Sequence, residues 1–311
     1  MKILCFNWNN VLSDLYDELE KRGHTFLPLN GDMKTFEKAD VIITWNETPL
    51  RGWRELMQGA INKGKKVILV QHGRKGISRI YPPFNEKLIS DIACVWGEYD
   101  KKRLISVGVP EDRIKITGTT IFKHLKPRVL HEGFNVVFSP EHWDTDVGEN
   151  YLIANELRKL KGIKVITKGL KGIQVERTMY DNLVLSDRNS PEHFEIVADV
   201  LSKADLVVSI SESTFELLAQ YLDIPVVIAD VWIPKACVGD DRYKEYHREY
   251  SNAVVKVPLK KLNKTIKKHL KHPELLRKER AEVVKGDGGT TITDPLKELA
   301  DIICNTIDIK K

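Results

Sequence analysis

No stretch of this 311-residue chain approaches the roughly 20 consecutive apolar residues that a membrane-spanning helix needs. Met1-Lys2 leads into a short strand-like run where a secretory signal would carry a longer apolar segment, so the expected location is cytoplasmic. Cysteine is sparse: Cys5, Cys94, Cys237 and Cys304 stand far apart, with spacings that suit neither a zinc site nor a dithiol motif. All four are expected as buried thiols, and Cys5 and Cys94 lie inside apolar runs. The glycine fingerprint of a dinucleotide-binding fold is also missing. Asn7-Trp8-Asn9-Asn10 follows the first strand-like run, and without glycines there the backbone cannot approach a pyrophosphate closely. A simple dehydrogenase is therefore disfavoured. There is no internal repeat and no low-complexity tract.

Charge of one sign is not in large excess either, since 49 Lys and Arg oppose 44 Asp and Glu for a net charge of +5. That balance announces no polyanionic partner. Residues 256–285 are the exception, with Lys260, Lys261, Lys264, Lys267, Lys268, Lys271, Arg277, Lys278 and Arg280 among few acids. Such a segment reads as a solvated helix face or, alternatively, as a contact for a membrane surface or DNA, where cations displace counterions from phosphates.

What the chain does contain is alternation. Short β-branched runs at 2–7, 24–28, 40–45, 66–71, 92–97 and 113–117 are separated by amphipathic stretches at 11–22, 50–63 and 100–107. A second series has strands at 135–139, 163–167, 183–186, 206–210, 226–229 and 253–257, with helices near 148–160, 191–202, 214–222, 259–270, 274–284 and 295–305. Residues 119–133 break the rhythm and read as a linker. The fold class is α/β, with two Rossmann-like doubly wound parallel-sheet domains facing a cleft. The expected division is 1–125, 126–290 and a last helix at 291–311 that packs back on the first domain.

Doubly wound sheets bind ligands beyond the carboxyl ends of their strands, so the loops that follow strands are the candidates. Asn9 and Asn10 either cap the first helix or grip an acceptor. Gln71-His72-Gly73-Arg74-Lys75-Gly76 follows an apolar strand; its glycines permit sharp turns, and His72 can serve as base or phosphate ligand. Tight turns account for Gly97 and Gly118, although Gly118 adjoins the linker and could line the cleft. Ser139, His142 and Lys168 bring hydroxyl, imidazole and ammonium groups suited to a pyrophosphate, with Lys168 expected to be exposed. Asp144 and Asp146 form an acidic pair of the kind that chance produces in so charged a chain, and no metal is expected. Ser211, Ser213 and Thr214 open a helix whose amides and dipole make an anion site, with Glu216 nearby.

These residues, in this order, resemble the two-domain glycosyltransferases of the GT-B fold, nearest the branch of CDP-glycerol glycerophosphotransferases and UDP-GlcNAc 2-epimerases. The resemblance runs through Gln71-His72-Gly73, Val95-Trp96-Gly97-Glu98, Ile116-Thr117-Gly118, Val137-Phe138-Ser139-Pro140, Ala204-Asp205-Leu206-Val207-Val208-Ser209, Ser213-Thr214, Ile224-Pro225-Val226-Val227 and Asp287-Gly288-Gly289. It implies His72 at the acceptor side with Asn9, Asn10 and Arg74. It also implies a donor pyrophosphate held by Gly73, Gly118, Ser139, His142, Lys168, Ser211, Ser213, Thr214 and Glu216. The chain departs in carrying Leu218 where relatives often place an acid, with Glu216 off that register, and Lys168-Gly169 where they have His-Pro. The implied activity is sugar transfer from a nucleotide-diphosphate-sugar, UDP first among bases, to a glycan, lipid-linked or nucleic-acid acceptor, with no further cofactor. The alternatives are an epimerase, a glycerophosphotransferase or a non-catalytic nucleotide-sugar binding module.

Overall fold

The computed structural model describes residues 1–6, 13–27, 33–45, 53–73, 88–140, 147–171, 180–187, 190, 192–231 and 250–308. The chain divides into two compact units, one formed by Met1–Thr120 with Lys285–Lys311 and the other by Ile121–Val284.

In the first unit the strands β1 (Lys2–Phe6), β2 (Thr25–Leu27), β3 (Val41–Thr44), β4 (Lys66–Val70), β5 (Ile92–Val95) and β6 (Ile114–Ile116) form a parallel sheet in the order β2-β1-β3-β4-β5-β6. The intervening helices are α1 (Ser13–Lys21), α2 (Met33–Lys38), α3 (Trp53–Asn62) and α4 (Glu98–Ser106). Because side chains alternate across a strand, each face has its own cover. Ile3, Cys5, Ile43, Ile68 and Val70 pack under Leu15 and Leu19 of α1 and under Leu299, Ala300 and Ile303 of the last helix, Pro295–Asp308. Leu4, Ile42 and Val67 face the other way, onto Phe36, Met57 and Ala60. Covering both faces is why these strands read as nearly continuous apolar runs. Arg22 also reaches from the end of α1 to Asp301 at 2.6 Å and Glu18 at 2.8 Å. Burial pushes the Cys5 and Cys94 thiols up to about 12, which leaves them protonated and unreactive; Cys304, against expectation, is only partly buried, and Cys237 lies outside the described residues.

The second unit holds β7 (Phe134–Ser139), β8 (Ile163–Leu170), β9 (Leu183–Ser186), β10 (Leu206–Ser209), β11 (Val226–Asp230) and β12 (Val254–Pro258), parallel and in the order β12-β11-β10-β7-β8-β9. Its helices are α5 (Val147–Leu157), α6 (His193–Ser202), α7 (Thr214–Tyr221) and α8 (Leu262–Lys271), and α9 (Arg277–Gly288) leads back to the first unit. Val136, Phe138, Leu206 and Val208 pack against Ile153 and Leu157 of α5 and Leu262, Ile266 and Leu270 of α8. The stretch expected as a plain linker begins with a 3-10 turn, Ile121–His124, that belongs to this unit. Ile121 is buried, and Phe122 stacks on Tyr221 with ring centroids 4.2 Å apart.

Arg280 departs from a uniformly solvated basic segment. Its guanidinium is 1% exposed and meets Asp223 Oδ1 through Nε at 3.0 Å and Nη2 at 2.5 Å. It also donates to the carbonyls of Leu275 and Pro273, at 2.6 and 2.8 Å. The clamp fixes the turn between α8 and α9, where Leu276 holds a φ of +62°.

Beside it His269 is buried, and its Nδ1 has no hydrogen-bond partner among the described residues. Burial, then the Lys268 and Arg280 charges, holds its pKa below the ordinary imidazole value. The folded chain therefore binds fewer protons here than the unfolded one, so stability falls as the pH drops below about 6.5 toward the depressed value. The slope from this group is at most about 1.4 kcal/mol per pH unit. Urea titrations at neutral and mildly acidic pH should show a smaller acid loss for His269→Leu than for wild type; equal losses would remove His269 as the cause.

Candidate functional site

In the second unit the sheet order reverses between β7 and β10, the switch point at which doubly wound sheets leave a crevice. Ser139 ends β7 and pairs in register with Ser209, which ends β10. On the other side Phe138 pairs with Thr167, so Lys168 comes level with Ser139. Side chains in register on parallel strands share a face, and Ser209, Ser139 and Lys168 therefore form one polar row across three strands.

Lys168 is not an exposed loop residue. β8 runs on to Leu170, Lys168 lies within it at 3% exposure, and its Nζ donates to Ser186 Oγ and to the Gly169 carbonyl, each at 2.7 Å. Ser186 Oγ in turn lies 2.9 Å from Nδ1 of His193, the first residue of α6. A buried ammonium requires hydrogen-bond partners, and this relay supplies them while holding the cation near the carboxyl edge. The sequence carries no separate signal for Ser186 or His193 beyond the place of Ser186 at the end of β9.

The loop after β10 is fastened from several directions. Ser209 Oγ donates to the Ser211 carbonyl at 2.6 Å, and Tyr250 Oη donates to the Ile210 carbonyl at 2.9 Å. Glu212, 1% exposed, accepts from Gln220 Nε2 at 2.7 Å, from the Ser251 amide at 2.7 Å and from Ser251 Oγ at 2.6 Å. Ser213 is the N-cap of α7: its Oγ accepts from the Phe215 amide at 3.3 Å. Glu216 completes a capping box, its Oε2 accepting from the Ser213 amide at 2.8 Å and from Ser213 Oγ at 2.6 Å. Burial pushes the Glu216 carboxyl above the usual carboxylate range, and the bonds from Ser213 oppose that shift. The Glu216 carboxyl thus serves the cap, and the positive end of the α7 dipole lies at Ser213-Thr214, where the loop from Ser209 enters the helix.

In the first unit, β3, β4 and β5 are followed directly by Trp45, Gln71-His72 and Trp96. Gln71, 2% exposed, donates from Nε2 to the Gly73 carbonyl at 3.1 Å and to Asp100 at 2.8 Å. Its Oε1 accepts from the Trp96 amide at 2.8 Å, and its backbone carbonyl accepts from Trp96 Nε1 at 2.9 Å. The backbone on both sides of His72 is pinned by this web. The half-buried His72 imidazole rests on Trp45 with centroids 4.0 Å apart, which limits the directions in which it can present a nitrogen.

Of the two glycines read as turn residues, Gly118 has the turn conformation and Gly97 does not. Gly97 is extended, with φ −153°, and needs no glycine for its conformation. A Cβ there would collide with the Gly286 carbonyl at the end of α9. Gly118 has φ +70°, the left-handed turn conformation that favours glycine, and Pro295, Gly289 and Ile292 crowd a built Cβ at 3.0–3.1 Å as well.

No family model matches the chain, and no curated protein matches it by sequence. Solved structures do. The UDP-GlcNAc 2-epimerase of Neisseria meningitidis, bound to UDP-GlcNAc, superposes with a TM-score of 0.62 at 14% identity over 100% of both chains. The wall teichoic acid polymerase TagF, with CDPG, gives 0.62 at 12% identity over 99% of this chain and 89% of its own. Anabaena Alr3699/HepE, in complex with UDP and glucose, gives 0.52 at 12% identity over 98% and 100%. The chain has the GT-B fold. At these identities the likeness carries the fold alone, and it agrees with the two Rossmann-like sheets expected from the strand pattern.

Within GT-B terms, Ser139, Lys168, Ser211, Ser213, Thr214 and Glu216 all fall at the carboxyl edge of the second sheet. His72 and Gly73 fall at that edge of the first sheet, and Gly118 sits against the glycine turn after α9. Asn9, Asn10, Arg74, His142 and the Asp144/Asp146 pair lie outside the described residues. No helix among the described residues is long and apolar enough to cross a membrane.

Proposed function

We propose that this chain is a GT-B glycosyltransferase that moves a sugar from a nucleotide-diphosphate-sugar, UDP foremost, to an acceptor hydroxyl. The observation that carries the reading is the polar row of Ser209, Ser139 and Lys168 at the β7/β10 switch point, beside the opening of α7. A leaving diphosphate gains negative charge as the glycosidic bond breaks. Preorganised donors stabilise it most where water is excluded. The Lys168 ammonium and the α7 N-terminus supply that stabilisation, with hydroxyls at Ser139 and Ser211. His72 is the base that takes the acceptor proton. Asn9, Asn10 and Arg74 complete the acceptor side, and His142 and Gly118 belong to the donor side. No metal or further cofactor enters the scheme. Acceptors of this chemistry are glycans, lipid-linked saccharides or hydroxylated nucleic-acid bases.

The test is a thermal-shift panel of UDP, CDP, GDP and dTDP with product analysis. A ligand at about a hundred times its Kd stabilises by about 2.7 kcal/mol. UDP is expected to give the largest shift, and Lys168→Met to reduce it. A flat panel would sink the nucleotide reading. Conversion of UDP-GlcNAc by the enzyme alone to free or UDP-linked N-acetylmannosamine would replace transfer by epimerisation.

A further inference from the structure

Several charged surface residues elsewhere among the described residues pair with an opposite charge. Lys66 meets Asp91 at 2.9 Å, Lys101 meets Glu111 at 2.8 Å and Lys203 meets Asp199 at 2.7 Å. The α8 segment is built the opposite way. Lys260, Lys261, Lys264, Lys267, Lys268 and Lys271 are all exposed, and none forms an ion pair among the described residues. From Lys256 through Pro273 there is no acid at all.

The helix beneath them is anchored by Leu262, Ile266, His269 and Leu270, so its outer face is fixed and convex. Along that face Lys264 and Lys268, and Lys267 and Lys271, are four residues apart, a spacing at which like charges repel. Lys260, Lys261 and Lys264 crowd the amino-terminal end, where the helix dipole is already positive, and the first turn has neither an acid nor a side-chain cap. An ordinary solvated face would relieve this with interspersed acids, as the ion pairs above do.

We infer that the outer face of α8 docks on an anionic lipid bilayer, whose phosphates remove the self-repulsion the free chain carries. The inference goes beyond the proposed transfer reaction and does not depend on it. Lipid is favoured over nucleic acid by what the segment lacks. Residues 256–276 contain no arginine, the side chain whose planar fork matches single phosphates and base edges, and residues 256–285 contain no aromatic on which bases could stack. A convex row of flexible point charges about 17 Å long suits a planar field of headgroups. Each such lysine adds to binding independently.

Co-sedimentation with phosphatidylcholine vesicles, with and without phosphatidylglycerol, tests this at about 0.15 M salt. Wild type is expected on the anionic vesicles only. The combined Lys264→Gln, Lys267→Gln, Lys268→Gln and Lys271→Gln variant should partition on the order of 10²- to 10³-fold less, with a Tm no lower than wild type because repulsion is relieved. Equal partitioning of variant and wild type, equal binding to neutral vesicles, or tighter binding to a DNA duplex than to anionic vesicles would each overturn the inference.

Discussion

Replacement of His72 by alanine is expected to lower kcat by on the order of 10²-fold or more while leaving UDP binding unchanged. The asymmetry follows from the fold: His72 belongs to the first unit, whereas Lys168, Ser139, Ser211 and the α7 N-terminus, the groups proposed to stabilise the leaving diphosphate, belong to the second. The ring is also well placed to be precise. Gln71 pins the chain before and after it through Trp96, Gly73 and Asp100, and Trp45 supports the imidazole face. A base must sit within hydrogen-bond reach of the proton it removes, and small misplacements cost heavily. Steady-state kinetics with the cognate acceptor, beside UDP titration and a melting curve, separate the outcomes. Full turnover in the variant would leave His72 as a packing partner of Trp45. Loss of UDP affinity together with turnover would move it to the donor side. A drop in kcat alone is the predicted result.

The strand pattern was readable because both faces of each sheet are covered, which leaves short apolar runs separated by polar helix surfaces. All twelve runs correspond to observed strands. The shift at β8 has a clear cause: Lys168 and Gly169 look like a strand exit in sequence, yet the strand continues in pairing with β9, and the buried lysine is held by Ser186, which His193 meets in turn. Nothing local to Lys168 announces partners that far along the chain. The helix α2 was missed since six residues, Met33–Lys38, are too few to display a 3.6-residue period. Ser213 and Glu216 were visible as a helix opening, and the structure adds that their hydrogen bonds close a capping box. The glycines were visible as residues, but the reason for them was not. Gly97 and Gly286 meet only after the chain has crossed the second unit and returned.

That return makes Gly289→Ala the substitution with the largest expected loss of stability. Gly289 has φ +59°, which an L-residue tolerates at a cost of about 1 kcal/mol or more. Its built Cβ would also fall inside the van der Waals envelope of the Trp96 carbonyl and lie 2.8 Å from Gly118 Cα. Both obstacles are backbone atoms at the ends of β5 and β6, so no side chain can swing aside, and overpacking of this kind adds roughly 1–3 kcal/mol. A combined loss of about 2–4 kcal/mol should appear as a Tm drop of about 10 °C. Two companions separate the causes. Gly108→Ala has φ +87° with nothing within 4 Å of the new Cβ, so it carries the conformational cost alone. Gly97→Ala keeps an extended backbone and carries the collision alone, against the Gly286 carbonyl. The expected order of damage is Gly108→Ala least, Gly97→Ala intermediate and Gly289→Ala most. Should Gly289→Ala melt no lower than Gly108→Ala, the carboxyl-terminal segment does not press on Trp96. The Asp287-Gly288-Gly289 turn would then owe its glycines to something other than the close approach of three backbone segments.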